Sequence, residues 1–240
     1  MKKSFLSLLI ILSVLSMYAA DLPKQGLGLQ IGWAQPVLRI NEPGNVLLKD
    51  SLTQNIHLHG FKVGLIYDAS FIAGFGSSIG INYTLGINNG GWQSKNQYGM
   101  DYPRDRKLIT YQELEVFVDW QYKFEIAKET YLILTTGPTI QCGLAMNMRV
   151  DHQVSEDLPY EPQYFNAYTT DSKDNTFQRI NVTWGVGAGF QYQRYFLRGG
   201  YDFGLLVPYK YTDFEQGGYH TRGRLDQWSI KIGMYLWYND

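Results

Sequence analysis

Between Arg179 and Val207 apolar and polar residues alternate with period two. Ile180, Val182, Trp184, Val186, Ala188, Phe190 and Tyr192 are apolar, and Asn181, Thr183, Gly185, Gly187, Gly189, Gln191 and Gln193 lie between them. After a tight turn near Arg194 the pattern resumes, with Tyr195, Leu197, Tyr201, Phe203, Leu205 and Val207 set against Arg198, Gly200, Asp202 and Gly204. Successive side chains of an extended strand point to opposite faces. The segment therefore predicts a hairpin with one apolar face and one face of glycine, amide and charge.

The same alternation predicts six further strands: Gly26 to Ala34, Ile56 to Tyr67, Phe75 to Leu85, Thr110 to Phe124, Thr130 to Leu144 and Leu225 to Tyr238. Phe117 is an exception on its strand's polar face, as are Tyr131 and Ile133 on theirs. Pro138 removes a ladder donor and predicts a bulge. The connections alternate in length. Long polar segments follow strand one, strand three (Ile87 to Lys107), strand five (Ala145 to Gln178) and strand seven (Pro208 to Arg224), whereas the others, such as Asp68 to Ala73, span a few residues. Long and short connections thus gather at opposite ends. The expected fold is all-β: an eight-stranded antiparallel up-and-down transmembrane β-barrel, with the longest connection exposed outside the cell.

Two features place the apolar face outside. Glycine concentrates on the polar face, where a narrow lumen needs room for long side chains opposite. Outward aromatics also sort by height. Tyr67, Phe75, Trp120, Tyr122, Phe190, Tyr192, Tyr195 and Tyr238 fall near the short-turn end, and Trp33, Tyr83 and Trp228 near the other. Two aromatic girdles mark the two interfaces of a membrane barrel. A soluble barrel, with the apolar face inside, has no reason to sort them so.

The first twenty residues read as an export signal, with Lys2 and Lys3 before the apolar run Phe5 to Leu15 and the small residues Ala19 and Ala20 at its end. Residues 21–240 are then the outer-membrane barrel domain. Among 240 residues there are 25 Gly, 19 Tyr and 6 Trp, and the net charge of -1 makes no electrostatic case for nucleic acid. Cys142 is the only cysteine, so no internal disulfide forms.

Several short runs carry a resemblance: Tyr111-Gln-Glu-Leu-Glu-Val, Tyr131-Leu-Ile-Leu-Thr-Thr-Gly-Pro138, Gly185-Val-Gly-Ala-Gly-Phe190, Gly200-Tyr-Asp-Phe-Gly-Leu205 and Ile230-Lys-Ile-Gly-Met-Tyr235. Together they resemble the PorT-like outer-membrane β-barrel family of Bacteroidetes. The resemblance covers most of the chain after the expected signal, most clearly from strand three onward. It implies insertion into outer-membrane lipid by the β-barrel assembly machinery with periplasmic chaperones. Family functions are heterogeneous, and the founding member's tie to protein secretion implies secretion-system partners. The chain departs from the usual insertion signal of such barrels in ending Trp237-Tyr-Asn-Asp240 rather than in Phe.

Lys62, Glu113, Glu115, Asp119, Lys123, Arg198, Asp202 and Lys231 are the lumen charges. Eight strands leave an interior that side chains fill, so a salt-bridged plug is expected ahead of an ion-selective pore. His57 and His59 share a strand face without an identifiable third metal ligand, and Asp171 to Asn175 lacks the Gly and Glu of a calcium loop. No catalytic, cofactor or metal site is assigned. The reading is a small non-enzymatic barrel whose outer loops bind or shield. A narrow diffusion channel and a lipid-modifying barrel enzyme are the alternatives.

Overall fold

The computed structural model describes residues 25–41, 56–72, 74–89, 93–94, 104–153, 155, 161–166, 168, 175–213 and 219–239. The expected signal and Asp171 to Asp174 lie outside them. Eight long strands form the wall: β1 (Gln25–Asn41), β2 (His59–Ile72), β3 (Phe75–Asn89), β4 (Arg104–Ala127), β5 (Thr130–Gln153), β6 (Ile180–Tyr192), β7 (Tyr195–Gly204) and β8 (Tyr219–Asn239). Each pairs antiparallel with its neighbours in chain order. Pairing of β1 with β8, from Gln25↔Asn239 to Asn41↔Arg222, closes the ring. Closure leaves no free sheet edge, which a bilayer would not tolerate.

Three tight links lie at one end. Each needs a backbone that turns with positive φ, supplied by Gly74 (83°), Glu129 (58°) and Gln193 (53°). At the other end, short strands at Ile56–His57, Gln93–Ser94, Glu161–Asn166, Asn175–Phe177 and Tyr209–Asp213 extend the wall. Ala145 to Gln153, expected as loop, is strand and pairs with Arg104 to Gln112. The longest described excursion therefore begins only after Gln153.

Pro138 causes no bulge. It faces Trp184, and Phe117↔Thr139 and Trp120↔Thr136 keep one register across it. The missing donor leaves a gap in the ladder rather than an extra residue. The register shifts between Gln112 and Glu113 and between Glu125 and Ala127 instead.

The apolar face is outward over the span nearest the short turns. Ile31 is 46% exposed, Val186 47% and Ile232 54%. Gln30 on β1, Thr183 on β6 and Ser229 on β8 are buried inside, as are Lys62 on β2 and Glu113 and Glu115 on β4. A wall of aliphatic side chains enclosing charges is stable only in hydrocarbon, so the chain is a transmembrane β-barrel.

Candidate functional site

The site is the barrel lumen, built in layers. In the lower lumen, toward the short turns, an apolar cluster of Ile66, Phe117, Phe196 and Tyr235 crosses the interior. Phe117 fits because Gly80 faces it; a Cβ at Gly80 would overlap its ring.

Beside this cluster sits a charged knot centred on Asp68. Its Oδ2 accepts from Arg198 Nη2 at 2.5 Å, lies 3.2 Å from Lys123 Nζ and accepts from the Tyr235 hydroxyl. Ser78 Oγ donates to Asp68 Oδ1 at 2.5 Å. Arg198 also donates to Ser78 Oγ and to the Tyr235 hydroxyl, both at 3.0 Å. Lys123 Nζ reaches Gln191 Oε1 at 3.1 Å. These residues come from β2, β3, β4, β6, β7 and β8, so the knot ties opposite walls together.

A second knot centres on Glu115. Lys62 Nζ donates to both its oxygens, at 2.6 and 2.8 Å. Gln227 Nε2 donates to Oε1 at 2.6 Å, and Asn82, itself bonded by Gln30 at 2.7 Å, donates to Oε2 at 3.3 Å. Glu113 accepts from the Tyr111 hydroxyl at one oxygen, and among the described residues its other oxygen has no hydrogen-bond partner.

Asp119, Asp202 and Lys231 behave differently. No ion pair within 4 Å joins them among the described residues. Lys231 Nζ instead stands 5.2 Å over the Phe117 ring. All three line a cavity of about 40 Å³ with Arg198 and the glycines Gly185, Gly187, Gly199 and Gly200. That space suits a water rather than a solute. The structure thus brings five of the eight expected lumen charges into the two knots and leaves three around the cavity.

Above the second knot the lumen turns apolar. Leu38, Leu58, Ile109, Tyr111, Met146, Tyr168 and Leu225 form one buried cluster. Tyr168 enters it from the long outer connection. Its ring lies 4.6 Å from the Arg179 guanidinium and crosses over Gly143, where a Cβ would overlap its hydroxyl. At this height many outward positions are polar or charged: Arg39, His57, His59, Asn147 and Arg224 are exposed, with Ile87 beside His59 an apolar exception.

Two aspartates outside the lumen were not singled out from the sequence. Asp151 is gripped by Arg106 at 2.8 Å and Arg149 at 2.6 Å. Asp226 is gripped by Arg39 at 2.8 Å and Arg224 at 3.0 Å. Asp68 lies one residue beyond the strand end expected at Tyr67, within a strand that runs to Ile72. Its signal was present: Gly60, Lys62, Gly64, Ile66 and Asp68 share one parity. Tyr235 follows Gln227, Ser229, Lys231 and Gly233 in the same way.

Of the expected girdle residues, Tyr67, Phe75, Trp120, Phe190, Tyr192 and Tyr195 are exposed on the wall, and Tyr122 is half-buried there. Trp33 and Trp228 meet edge to face at 4.4 Å, and Tyr83 lies on β3 opposite Val63 and Leu114. Tyr238 departs from expectation. A register shift puts Tyr235 opposite Gly28 and Trp237 opposite Leu27. The extra residue flips the phase, so Trp237 is exposed while Tyr238 turns in, packs on Tyr235 at 5.4 Å and accepts from Gln191 at 2.7 Å. His59 stacks on Trp33 at 5.6 Å, and no group of three metal-ligating side chains occurs among the described residues.

The chain matches no protein-family model and no curated relative. Among solved structures it is similar to Ail, the attachment invasion locus protein of Yersinia pestis, at 12% identity and TM-score 0.38 over 89% of this chain and 99% of that one. It is similar to Neisserial surface protein A at 12% identity and TM-score 0.36, over 88% and 97%. For the outer membrane protein OprG from Pseudomonas aeruginosa the values are 9% and 0.36, over 88% and 96%. The assignment of this chain as a closed eight-stranded barrel rests on its own strand register.

Proposed function

We propose that this chain is a small, non-enzymatic outer-membrane barrel whose lumen is closed and whose outer rim and loops do the binding or shielding. The observation that carries this reading is the layering of the lumen: an apolar cluster, the Asp68 knot, the Glu115 knot and a second apolar cluster. Opposite charges in so narrow and dry a space attract strongly and stay paired. The resemblance to PorT-like proteins supports the same placement, insertion by the assembly machinery, and a secretion-system partner at the rim.

The cavity beside Asp119, Asp202 and Lys231 favours a second reading, a narrow water-threaded channel. Planar-bilayer recording separates the two. Wild type should be silent, with leak appearing in an Arg198→Ala and Lys231→Ala double variant. Stable, porin-sized conductance from the monomeric wild type would establish the channel instead.

A further inference from the structure

Above the apolar band the arginines Arg39, Arg179 and Arg224 are exposed, and Arg106 and Arg149 are half-buried. Two carboxylates at that height, Asp151 and Asp226, are almost wholly covered, at 1% and 0% side-chain exposure.

One of these groups is a built site. Arg39 and Arg224 are directly opposed across β1 and β8. Both close on the buried carboxylate of Asp226, which also accepts from Tyr201 Oη at 2.8 Å and from the Gly204 backbone N–H at 2.9 Å. Arg39 Nε lies 2.8 Å from Asp226, and its Nη2 donates to the Tyr201 hydroxyl at 3.0 Å. Arg224 is held through Nε and Nη2, each at 3.0 Å. Each guanidinium is therefore fixed along one edge while its side chain stays nearly half exposed, at 45% and 47%. Two cations against one anion leave a net single positive charge facing outward.

The height of this group selects its ligand. Asp226 lies two residues beyond Trp228, where the outward aliphatic series Met234, Ile232, Ile230 ends. Two residues advance about 7 Å along a strand, or about 5 Å in height at the usual tilt. Polar headgroups occupy roughly 5–7 Å above the hydrocarbon on each side. We infer that Arg39 and Arg224, oriented by Asp226, form a binding site for the phosphate of an anionic outer-leaflet lipid. A guanidinium pair recognises phosphate oxygens by charge-assisted hydrogen bonds, and the Trp33–Trp228 pair below offers the acyl chains an apolar surface. The lipid, rather than free phosphate, is the ligand because one net charge at a half-exposed site holds a small anion weakly without that surface.

The inference rests on the membrane reading, and the experiment keeps the two apart. Full-length protein in neutral detergent is mixed with bisphosphorylated lipid A or its dephosphorylated form, and bound lipid is counted by native mass spectrometry. Heat-modifiable migration reports the folded barrel separately; a wild type that lacks it overturns the membrane reading itself. Wild type should retain the phosphorylated lipid, and the double variant Arg39→Ala, Arg224→Ala about tenfold less, one charged hydrogen bond's share. Arg194→Ala at the opposite rim should match wild type. Equal retention by wild type and the double variant overturns the site. Equal binding of the dephosphorylated form by wild type does so too, and that arm decides the matter even if the double variant does not fold. Displacement by equimolar inorganic phosphate would show a free-anion site and overturn the lipid assignment.

Discussion

Strand β8 shows two environments along one backbone. Below Trp228 it presents Ile230, Ile232, Met234 and Leu236 outward and Ser229 and Lys231 inward. Above Trp228 its outward residue is Arg224 and its inward residue Leu225, 4% exposed. β1 repeats the change: Ile31 is outward below, and Leu38 is inward with Arg39 outward above. β4 repeats it again, with Glu113 and Glu115 inward below Tyr111 and Ile109. These three strands do not reverse there; the solvent around them does. Where lipid surrounds the wall, the polar groups must find partners inside. Where water surrounds it, the ordinary hydrophobic core returns, and the upper part of the molecule is packed as a soluble barrel. The two zones therefore draw stability from different sources: ion pairs in the lower lumen, side-chain burial in the upper one.

The largest test of this contrast is Asp68→Asn. It leaves Arg198 and Lys123 buried against an amide, and removing one member of such a pair costs about 3–5 kcal/mol. Urea unfolding in lipid vesicles reads the loss. An unchanged midpoint would mean that the knot adds nothing to the lower zone.

The same substitution on the two outer surfaces should differ sharply. Val186→Arg places a charge against the hydrocarbon and should cost about 2–4 kcal/mol. Asn147→Arg, on the exposed outer face of β5 above the band, should stay within about 0.5 kcal/mol of wild type. Comparable losses at both positions would erase the distinction between the zones.

The smallest expected effect is on pH. Burial opposes ionisation of Asp151, but hydrogen bonds and attraction from Arg149 and Arg106 hold its carboxyl below the ordinary 3.8. A carboxyl with a depressed folded value adds stability above the ordinary value, and that stability is lost as pH falls through the folded one. Backbone protection factors in the outer parts of β4 and β5 should therefore drop below about pH 4. Protection near Trp120 should not follow them.

The zones also explain which parts of the fold could be read from the sequence. Where lipid lies outside, apolar and polar positions alternate cleanly, and all eight strands were legible there. Arg104 to Lys107 and Ala145 to Gln153 read as loop because their pattern belongs to the other solvent: Met146 faces in while Asn147 and Arg149 face out. Lys62 with Glu115 was legible as a lumen pair in kind, since each occupies its strand's polar phase. Asp68, which binds two of the expected cations, was lost with a strand end drawn too early. Tyr238 could not be placed, because one extra residue after Tyr235 reverses every later side chain. The orienting roles of Asp151 and Asp226 depend on contacts across strands, which one strand's periodicity does not contain.

A nitroxide scan along β8 measures the change of solvent most directly. In a Cys142→Ser background, single cysteines from Arg224 to Leu236 are labelled in lipid vesicles. Each is then probed with oxygen, which partitions into lipid, and with a water-soluble nickel complex. The account predicts oxygen-rich signals at Ile230, Ile232, Met234 and Leu236, a nickel-rich signal at Arg224, and protection from both at Leu225 and Gln227. Oxygen accessibility that continues unchanged to Arg224, or that peaks at Ser229 and Lys231, would contradict it.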